Sequence, residues 1–224
     1  MVALSLLVAV KNETIQSYLQ AIQAAGLEPT IGDIDYFALE NMFALAYPEE
    51  QEKTVALVNV GSRFTSVSII QKGESLFAGD VGVGGRLYTD TLCEATGMDA
   101  AAAEQIKIGV VPEWVDKQLI EETRDRTTEH IAAELHRQIG FFWNAASTEG
   151  SIETIFVCGG SAFIPGLIEE LGARTGIVCS GIDPFRGVQT SVNIDRSFIG
   201  EVGLGMGACL GVALRRTGDK VHCI

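Results

Sequence analysis

The residues with the clearest chemical potential form a glycine turn, Asn59-Val60-Gly61-Ser62-Arg63-Phe64-Thr65, directly after an apolar segment. Gly61, Ser62 and Thr65 supply backbone N–H groups and hydroxyls, which are the donors that anion-binding nests use to hold phosphate oxygens. Residues 59–65, named here the phosphate turn, therefore suit the β- and γ-phosphates of a nucleotide. Taken alone, the same pattern is more often an ordinary β-turn.

A second glycine turn, Gly159-Gly160-Ser161, follows the apolar segment Ile155–Cys158. Glycine has no Cβ, so a flat adenine ring can lie against the bare backbone. Phe163 and Ile164 are placed to form the floor under that base. The alternative is a strand-to-helix turn with packing glycines. Because both glycine turns occur in one chain, nucleotide binding is favoured for each, and residues 159–164 are named the adenine turn.

Glu104 and Lys107 are three residues apart in a segment with helical composition, so their side chains lie on one helix face. Opposite charges at this spacing can pair with each other in solvent. The two residues by themselves do not decide between such an ion pair and a contact to a ligand.

Other patterns argue against further chemistry. The run Gly203–Ala208 fits G-x-G-x-x-A but lacks the βαβ context of a dinucleotide fingerprint, so we interpret it as close helix packing. His130 and His136 lie six apart on one predicted helix and face different sides, which disfavours a shared metal. No G-x-x-x-x-G-K-[ST] run is present.

The phosphate turn is positioned by a predicted meander of three strands over Val55–Val81. Apolar and polar residues alternate on either side of it, with the period of two that half-buried strands show. The second turn of the meander, Gln71-Lys72-Gly73-Glu74, has glycine where a tight hairpin needs a positive φ.

The remaining segments alternate between strands and helices, which predicts an α/β fold. Those before the meander are a strand Leu4–Val10, a helix capped by Asn12 and ended by Gly26, a strand Pro29–Ile34, and a helix capped by Asp35 that runs to Ala46. The first helix carries four apolar residues on one face, Ile15, Tyr18, Leu19 and Ile22. Those after it are helix Arg86–Thr96, a helix from Asp99 to Gly109, helix Asp116–Thr148, strand Ile155–Cys158, a helix with Pro165 in its first turn, strand Ile177–Val178 and helix Gly203–Arg216.

Composition limits the class of protein. The 224 residues suit one large or two small domains, and a hydrophobic content of 47% supports a sizeable core. The formal net charge is −13, so duplex nucleic acid is excluded as an expected partner. We interpret the acidic surface as a solubility feature.

The cysteines and the apolar runs indicate the compartment. Five cysteines, an odd number with no C-x-x-C, predict a reducing, cytoplasmic setting without a disulfide framework or a zinc site. No uncharged apolar run reaches the about 20 residues needed to span a bilayer. Met1–Val10 is apolar but lacks the basic region of a signal peptide, so we predict no direct membrane insertion.

Four segments, in their order, resemble the actin-like ATPase superfamily: VALVNVGSRFTSVSII, AAAAEQIKIG, IFVCGGSAFIPGL and EVGLGMGACLGVALR. Within it the chain resembles the PilM family of type IV pilus assembly proteins, from about residue 3 to residue 216. That resemblance is carried by LLVAVKNETIQSYLQAIQAAGLEP and DIDYFALEN, by GVGGRLYTDTL, by LHRQIGFFWNA and by IDPFRGV.

The resemblance implies an actin-like (RNase H-like) ATPase fold with one complete half and one incomplete half. Residues 51–202 would form the complete half, with an inserted small subdomain at about 82–115. Residues 1–50 would be the remnant of the first half, rejoined by the helix at 203–216. PilM-like chains open with a strand hairpin that carries an Asp-x-Gly loop, so this chain is expected to be truncated at its N-terminus.

The resemblance also assigns ligand contacts, with ATP or ADP and Mg²⁺ as the implied cofactors. Phosphate would be held by Asn59, Gly61, Ser62 and Thr65, ribose by Glu104 and Lys107, and adenine by Gly159, Gly160, Ser161, Phe163 and Ile164. Asn59 stands where the family has the aspartate that holds water on the metal, and an amide is a weaker ligand for a hard cation. We therefore expect no protein ligand directly on the metal, and no efficient hydrolysis.

The function implied is that of a cytoplasmic scaffold, peripheral to the bacterial inner membrane. Its partners would be the N-terminal cytoplasmic tail of a PilN-like membrane protein and other components of the pilus platform. The tail would dock near the small subdomain of the first half, part of which residues 1–40 retain. One alternative is an active ATPase or kinase of the same superfold. The other is an FtsA-like division filament protein. That family carries a C-terminal amphipathic membrane helix, and residues 217–224 are too few to form one.

Overall fold

Five strands form one mixed sheet in the computed structural model, which describes residues 9–145, 150–191, 193–216 and 218. The strands are β1 (Thr54–Val60), β2 (Thr65–Gln71), β3 (Glu74–Val81), β4 (Thr154–Cys158) and β5 (Val178–Gly181), in the order β3-β2-β1-β4-β5. The first three pair antiparallel, and β4 and β5 add in parallel beside β1. The predicted meander is confirmed.

The tight turn between β2 and β3 has the backbone geometry that its sequence predicts. Lys72 has a φ of 52° and Gly73 a φ of 76°, and two successive positive φ angles make the turn type that matches strand twist. Lys72 is the one non-glycine residue with positive φ in the described part of the chain. Glycine at the second position lowers the cost of this geometry.

Eight helices surround the sheet in the described residues. They are α1 (Asn12–Ala24), α2 (Asp35–Ala46), α3 (Arg86–Thr96), α4 (Ala100–Lys107), α5 (Lys117–Ala145), α6 (Leu167–Thr175), α7 (Arg196–Val202) and α8 (Gly207–Ala213), with 3-10 turns at Pro48–Glu50 and Gly203–Gly205. The predicted bounds of α3 are confirmed, and Asp99 caps α4 as predicted by accepting the Ala102 N–H. None of these helices is both long and apolar enough to cross a membrane.

Three predictions at the start of the chain were wrong in detail. Pro29–Ile34 forms no strand, because the described residues offer it no neighbouring strand with which to pair. Asn12 and Asp35 are the first residues of their helices and not their caps, and neither helix start has a side-chain cap. The predicted strand Leu4–Val10 lies almost entirely outside the described residues.

Two helices in the second half also differ from prediction. Pro165 precedes α6, which begins at Leu167 after Gly166. The predicted helix Gly203–Arg216 is interrupted, because the Leu204 carbonyl accepts the Gly159 N–H at 2.9 Å and takes no part in a regular helical ladder. This contact holds the adenine turn against the 3-10 turn at Gly203–Gly205.

Both faces of the sheet are buried, as successive side chains of a strand point to opposite sides. Ala56, Val58 and Val60 face a core that includes residues of α5 and α6. Val55 and Leu57 face the other core, which is formed with α2. Leu92, Ala103, Ile106, Val115 and Ile120 form a third, smaller cluster among α3, α4 and the start of α5.

Helix α2 is fixed to the sheet by a buried carboxylate as well as by apolar contacts. Glu40 accepts hydrogen bonds from the Ser68 hydroxyl and, at 2.9 Å, from the Ser75 hydroxyl. Burial raises the pKa of Glu40 even though both hydroxyls stabilise its charged form. The predicted division of the chain at residue 51 stays a prediction, but α2 packs directly on the strands that follow it.

Candidate functional site

Three turns from distant parts of the sequence meet at one backbone oxygen, the carbonyl of Gly61. It accepts the Gly85 N–H at 2.9 Å and the Ser161 hydroxyl at 3.0 Å. The adjacent Ser62 carbonyl accepts the Arg86 N–H at 2.7 Å. The phosphate turn is thus joined both to the adenine turn and to the β3–α3 turn, residues 82–85.

The glycines at this junction are required by space. A Cβ at Gly84 would lie 2.6 Å from the carbonyl oxygens of Gly61 and Ser62. A Cβ at Gly85 would lie 2.0 Å from the Ser161 hydroxyl oxygen. Gly159 has a φ of 101°, and a Cβ there would lie 2.5 Å from the Asn59 amide oxygen. Real Cβ contacts do not reach these distances, so the close approach of the three turns requires glycine at these positions.

Two of the predicted ligand-binding residues use their side-chain hydroxyls for bonds inside the protein. Thr65 is fully buried, and its hydroxyl donates to the Val83 carbonyl at 2.8 Å. Ser161 is 5% exposed, and its backbone N–H donates to the Val60 carbonyl at 3.0 Å. Both residues brace the turns against each other, whereas Ser62 is exposed and Asn59 is half-buried.

Glu104 and Lys107 form the ion pair that their spacing allows, between a buried ammonium and a carboxylate that is about half exposed. Lys107 is 6% exposed and contacts the Glu104 carboxylate, while the Thr89 hydroxyl donates to the same carboxylate. Burial acts to raise the pKa of Glu104, but the hydrogen bonds from Lys107 and Thr89 outweigh it and hold that pKa below its usual value. The pair lies beside the β3–α3 turn, since a Cβ at Gly85 would be 3.6 Å from the Lys107 ammonium.

The remaining residues of the adenine turn divide into two groups. Ile164 is 2% exposed and belongs to the core on the α5 side of the sheet, so its side chain packs there. Phe163 is half-buried, with its ring against the 3-10 turn at Gly205, where a Cβ would lie 3.5 Å from it. Gly160 is exposed and lies beside the same 3-10 turn. Contact of these residues with adenine stays a prediction.

A cleft of about 590 Å³ opens beside the phosphate turn. One wall carries Asn59, Gly61 and Ser62, with Arg63, Phe64, Ser66 and Asp80 around them. The opposite wall consists of Tyr18, Asp33, Ile34, Asp35 and Tyr36. Three of the four predicted phosphate residues, Asn59, Gly61 and Ser62, line this cleft, whereas the buried Thr65 does not. The predicted ribose and adenine residues also lie outside its lining.

The second wall was missed by the sequence analysis. The signal available was the D-I-D run at residues 33–35, directly before an apolar helix. Its first two residues were interpreted as the end of a strand and Asp35 as a helix cap. Asp35 is exposed to the cleft, whereas the Asp33 side chain is 6% exposed and pairs with Arg215 at 3.5 Å. Carboxylates therefore line the same cleft as the phosphate turn, although no group of three potential metal ligands is found among the described residues.

Tyr36 lines the cleft and contacts Asp80. Burial raises the pKa of its hydroxyl, and the hydrogen bond and negative charge of Asp80 raise it further. The Ser66 hydroxyl donates to the same Asp80 carboxylate at 2.9 Å. This network joins the start of α2 to β2 and β3, which fixes the distance between the two walls at their base.

Comparison with known families decides which of the resemblances holds. The sequence model of the family described as type IV pilus assembly protein PilM matches residues 3–217. The chain belongs to the PilM family. The match covers both walls of the cleft and all three turns that meet at the Gly61 carbonyl.

Solved structures agree with the fold. The chain is similar to PilM of a PilM–PilN type IV pilus biogenesis complex, with a TM-score of 0.80 and 22% identity over 91% of this chain and 57% of that one. It is also similar to the ethanolamine utilization protein EutJ from Carboxydothermus hydrogenoformans, with a TM-score of 0.65 and 17% identity over 92% of this chain and 62% of that one. MreB5 of Spiroplasma citri, bound to AMPPNP, matches with a TM-score of 0.53 and 15% identity over 76% of this chain and 60% of that one.

The predicted actin-like α/β fold is confirmed by these similarities. The present chain spans less than two thirds of the length of each of these solved chains. At these identities the similarity concerns the fold, and ligands and partners are addressed by proposal below.

Proposed function

We propose that this chain is part of a nucleotide-binding scaffold of the type IV pilus assembly platform, recruited to the cytoplasmic face of the inner membrane by a partner protein. Family membership over residues 3–217 supports the place in pilus assembly. The observation that carries the nucleotide part is the meeting of the phosphate, adenine and β3–α3 turns at one carbonyl. MreB5, of similar fold, has been solved with AMPPNP and with ADP.

The proposed partner is the cytoplasmic N-terminal tail of a PilN-like protein, since a PilM of similar fold occurs in complex with PilN. The proposed docking surface is the apolar face of α1. Ile15, Tyr18 and Ile22 recur on it at helical spacing, and they are 45%, 68% and 37% exposed. Apolar residues grouped on one exposed helix face are typical of protein–protein interaction sites.

Replacing Tyr18 with glutamate is expected to weaken binding of a PilN-like tail peptide by about tenfold or more. Aromatic residues dominate binding energy at such surfaces, and a charge would have to be desolvated on docking. Tyr18 is mostly exposed, so the fold should tolerate the change. Fluorescence anisotropy with a labelled peptide of the cognate PilN-like tail measures the loss.

Trp114→Glu is the matched control for the docking surface. Trp114 is 77% exposed in the loop before α5, on a different element from α1. Peptide binding should be unchanged in this variant. Loss of binding in the Trp114 variant together with full binding in the Tyr18 variant would contradict docking on α1.

For nucleotide, we expect weak binding that Asn59→Asp strengthens in the presence of Mg²⁺ by about tenfold. A carboxylate holds water on a hard cation better than an amide does. Without Mg²⁺ the same substitution should weaken binding, because the added negative charge faces the phosphates beside Asp35 and Asp80. Calorimetric titration with ATP, with and without Mg²⁺, measures both effects.

The sign reversal on removing Mg²⁺ is the decisive part of that experiment. Wild-type affinity for Mg-ATP of about 1 μM or tighter would contradict the weak site proposed here. A second candidate function, ATP hydrolysis, is favoured by the exposed Asp35 carboxylate opposite the phosphate turn, where a general base would stand. Phosphate release by the wild type that is lost in Asp35→Asn would support hydrolysis.

A further inference from the structure

We infer that Ser161 is a positioning residue, which orients the phosphate turn through the Gly61 carbonyl and does not act as a contact to adenine. The inference rests on the nucleotide-binding part of the proposed function. It concerns how two distant turns, one hundred residues apart in sequence, are held in the geometry that a nucleotide diphosphate or triphosphate needs.

Both hydrogen-bond donors of Ser161 are directed at the strand that carries the phosphate turn. Its N–H donates to the Val60 carbonyl at 3.0 Å, and its hydroxyl donates to the Gly61 carbonyl at 3.0 Å. The side chain is 5% exposed. A hydroxyl has one proton to donate, and the Gly61 carbonyl already accepts it, so the Ser161 oxygen has only its lone pairs to offer to a base.

Fixing the Gly61 carbonyl also fixes the next N–H. In a planar trans peptide the C=O of Gly61 and the N–H of Ser62 point in opposite directions. With the oxygen drawn toward Ser161 and Gly85, the Ser62 N–H points to the other side of the turn. Ser62 lines the cleft, and in the described part of the chain its N–H has no acceptor. A phosphate oxygen bound in the cleft would accept a hydrogen bond from this N–H.

The Gly85 N–H, 2.9 Å from the Gly61 oxygen, cannot fix this carbonyl alone. Gly85 belongs to the β3–α3 turn, which is itself held in place by the phosphate turn. That support is the Thr65 hydroxyl bond to Val83 and the Arg86 N–H bond to Ser62. The Ser161 hydroxyl is the side-chain contact that joins this pair of turns to the segment after β4, in addition to the pairing of β1 with β4. Loss of the hydroxyl is expected to leave the Gly61 carbonyl held by the Gly85 N–H alone, so that the Gly61–Ser62 peptide is less firmly oriented.

The experiment compares ADP with adenosine as probes in wild type and Ser161→Ala. A positioning role predicts that ADP binding weakens by about tenfold while adenosine binding changes less than twofold, because adenosine has no phosphate for the Ser62 N–H. Ser180→Ala, an exposed serine on β5, is the matched control and should leave both affinities unchanged. Calorimetry or displacement of a fluorescent nucleotide analogue gives the affinities.

Two results would overturn the positioning role. Equal loss of ADP and adenosine would mean that Ser161 contacts the base, and a lower melting temperature with an unchanged affinity ratio would mean that it only stabilises the fold. If the wild type bound neither probe, the nucleotide part of the proposed function would fail, and hydrogen exchange would decide the positioning role separately. Faster exchange of the Gly85 amide in Ser161→Ala, with core amides unchanged, supports it, and unchanged exchange refutes it.

Discussion

Replacing Gly211 with alanine is expected to destabilise the protein by about 3 kcal/mol or more, which lowers the melting temperature of a chain of this size by about 6–12 °C. A Cβ at Gly211 would lie 1.7 Å from the Ala38 carbonyl oxygen and 2.3 Å from its carbonyl carbon. Those atoms belong to the backbone of α2, so no side-chain rotation can relieve the overlap. The two helices would have to move apart, and α2 is held in place by the sheet beneath it.

Gly200→Ala is the matched control for this prediction, because Gly200 lies in α7 and nothing is within 4 Å of an added Cβ there. Alanine is favoured over glycine in a helix by about 0.5–1 kcal/mol, so this variant should be as stable as wild type or slightly more so. Thermal unfolding followed by circular dichroism measures both variants. A Gly211→Ala protein that melts with the wild type would contradict the close crossing of α2 and α8.

The crossing of α2 and α8 also shows what the sequence could and could not predict about the fold. The meander was predictable because its signals are local: an alternating pattern and a glycine two residues from the preceding strand. The small residues around Gly207 and Gly211 predicted close packing, but not the partner. That partner, Ala38, lies more than 160 residues away, and no local pattern links the two segments.

The same limit applies to the candidate site. Residue types predicted the phosphate and adenine turns, but they did not predict that the hydroxyls of Thr65 and Ser161 donate to the Val83 and Gly61 carbonyls. A hydroxyl can donate a hydrogen bond to a ligand or to a backbone carbonyl. Which of the two accepts it depends on which acceptor the fold brings within about 3 Å. The opposite wall with Asp35 was missed because its approach to Asn59 depends on how α2 packs.

Replacing Phe43 with alanine is expected to cost about 3–5 kcal/mol of folding stability. Phe43 is 1% exposed, and its ring lies 5.1 Å from that of Tyr47 and 4.8 Å from that of Phe156. The substitution opens a cavity between α2 and β4. Neither the Tyr47 ring nor the Phe156 ring can move into it without losing its contact with the other ring. Tyr47 has a second role there, since its hydroxyl accepts the Asp183 N–H at 2.9 Å.

Phe64→Ala is the control for the aromatic cluster, because Phe64 is 58% exposed at the cleft and its loss should change stability by less than about 0.5 kcal/mol. Denaturant unfolding followed by both far-UV and near-UV circular dichroism distinguishes two arrangements of α2. If α2 belongs to the same cooperative unit as the sheet, Phe43→Ala lowers a single midpoint for both signals. If α2 instead unfolds by itself, the sheet keeps the wild-type midpoint and the walls of the cleft separate before the fold is lost. The buried Phe43–Tyr47–Phe156 contacts and the Glu40 bonds to β2 and β3 require the first outcome, because α2 cannot leave the sheet without exposing both.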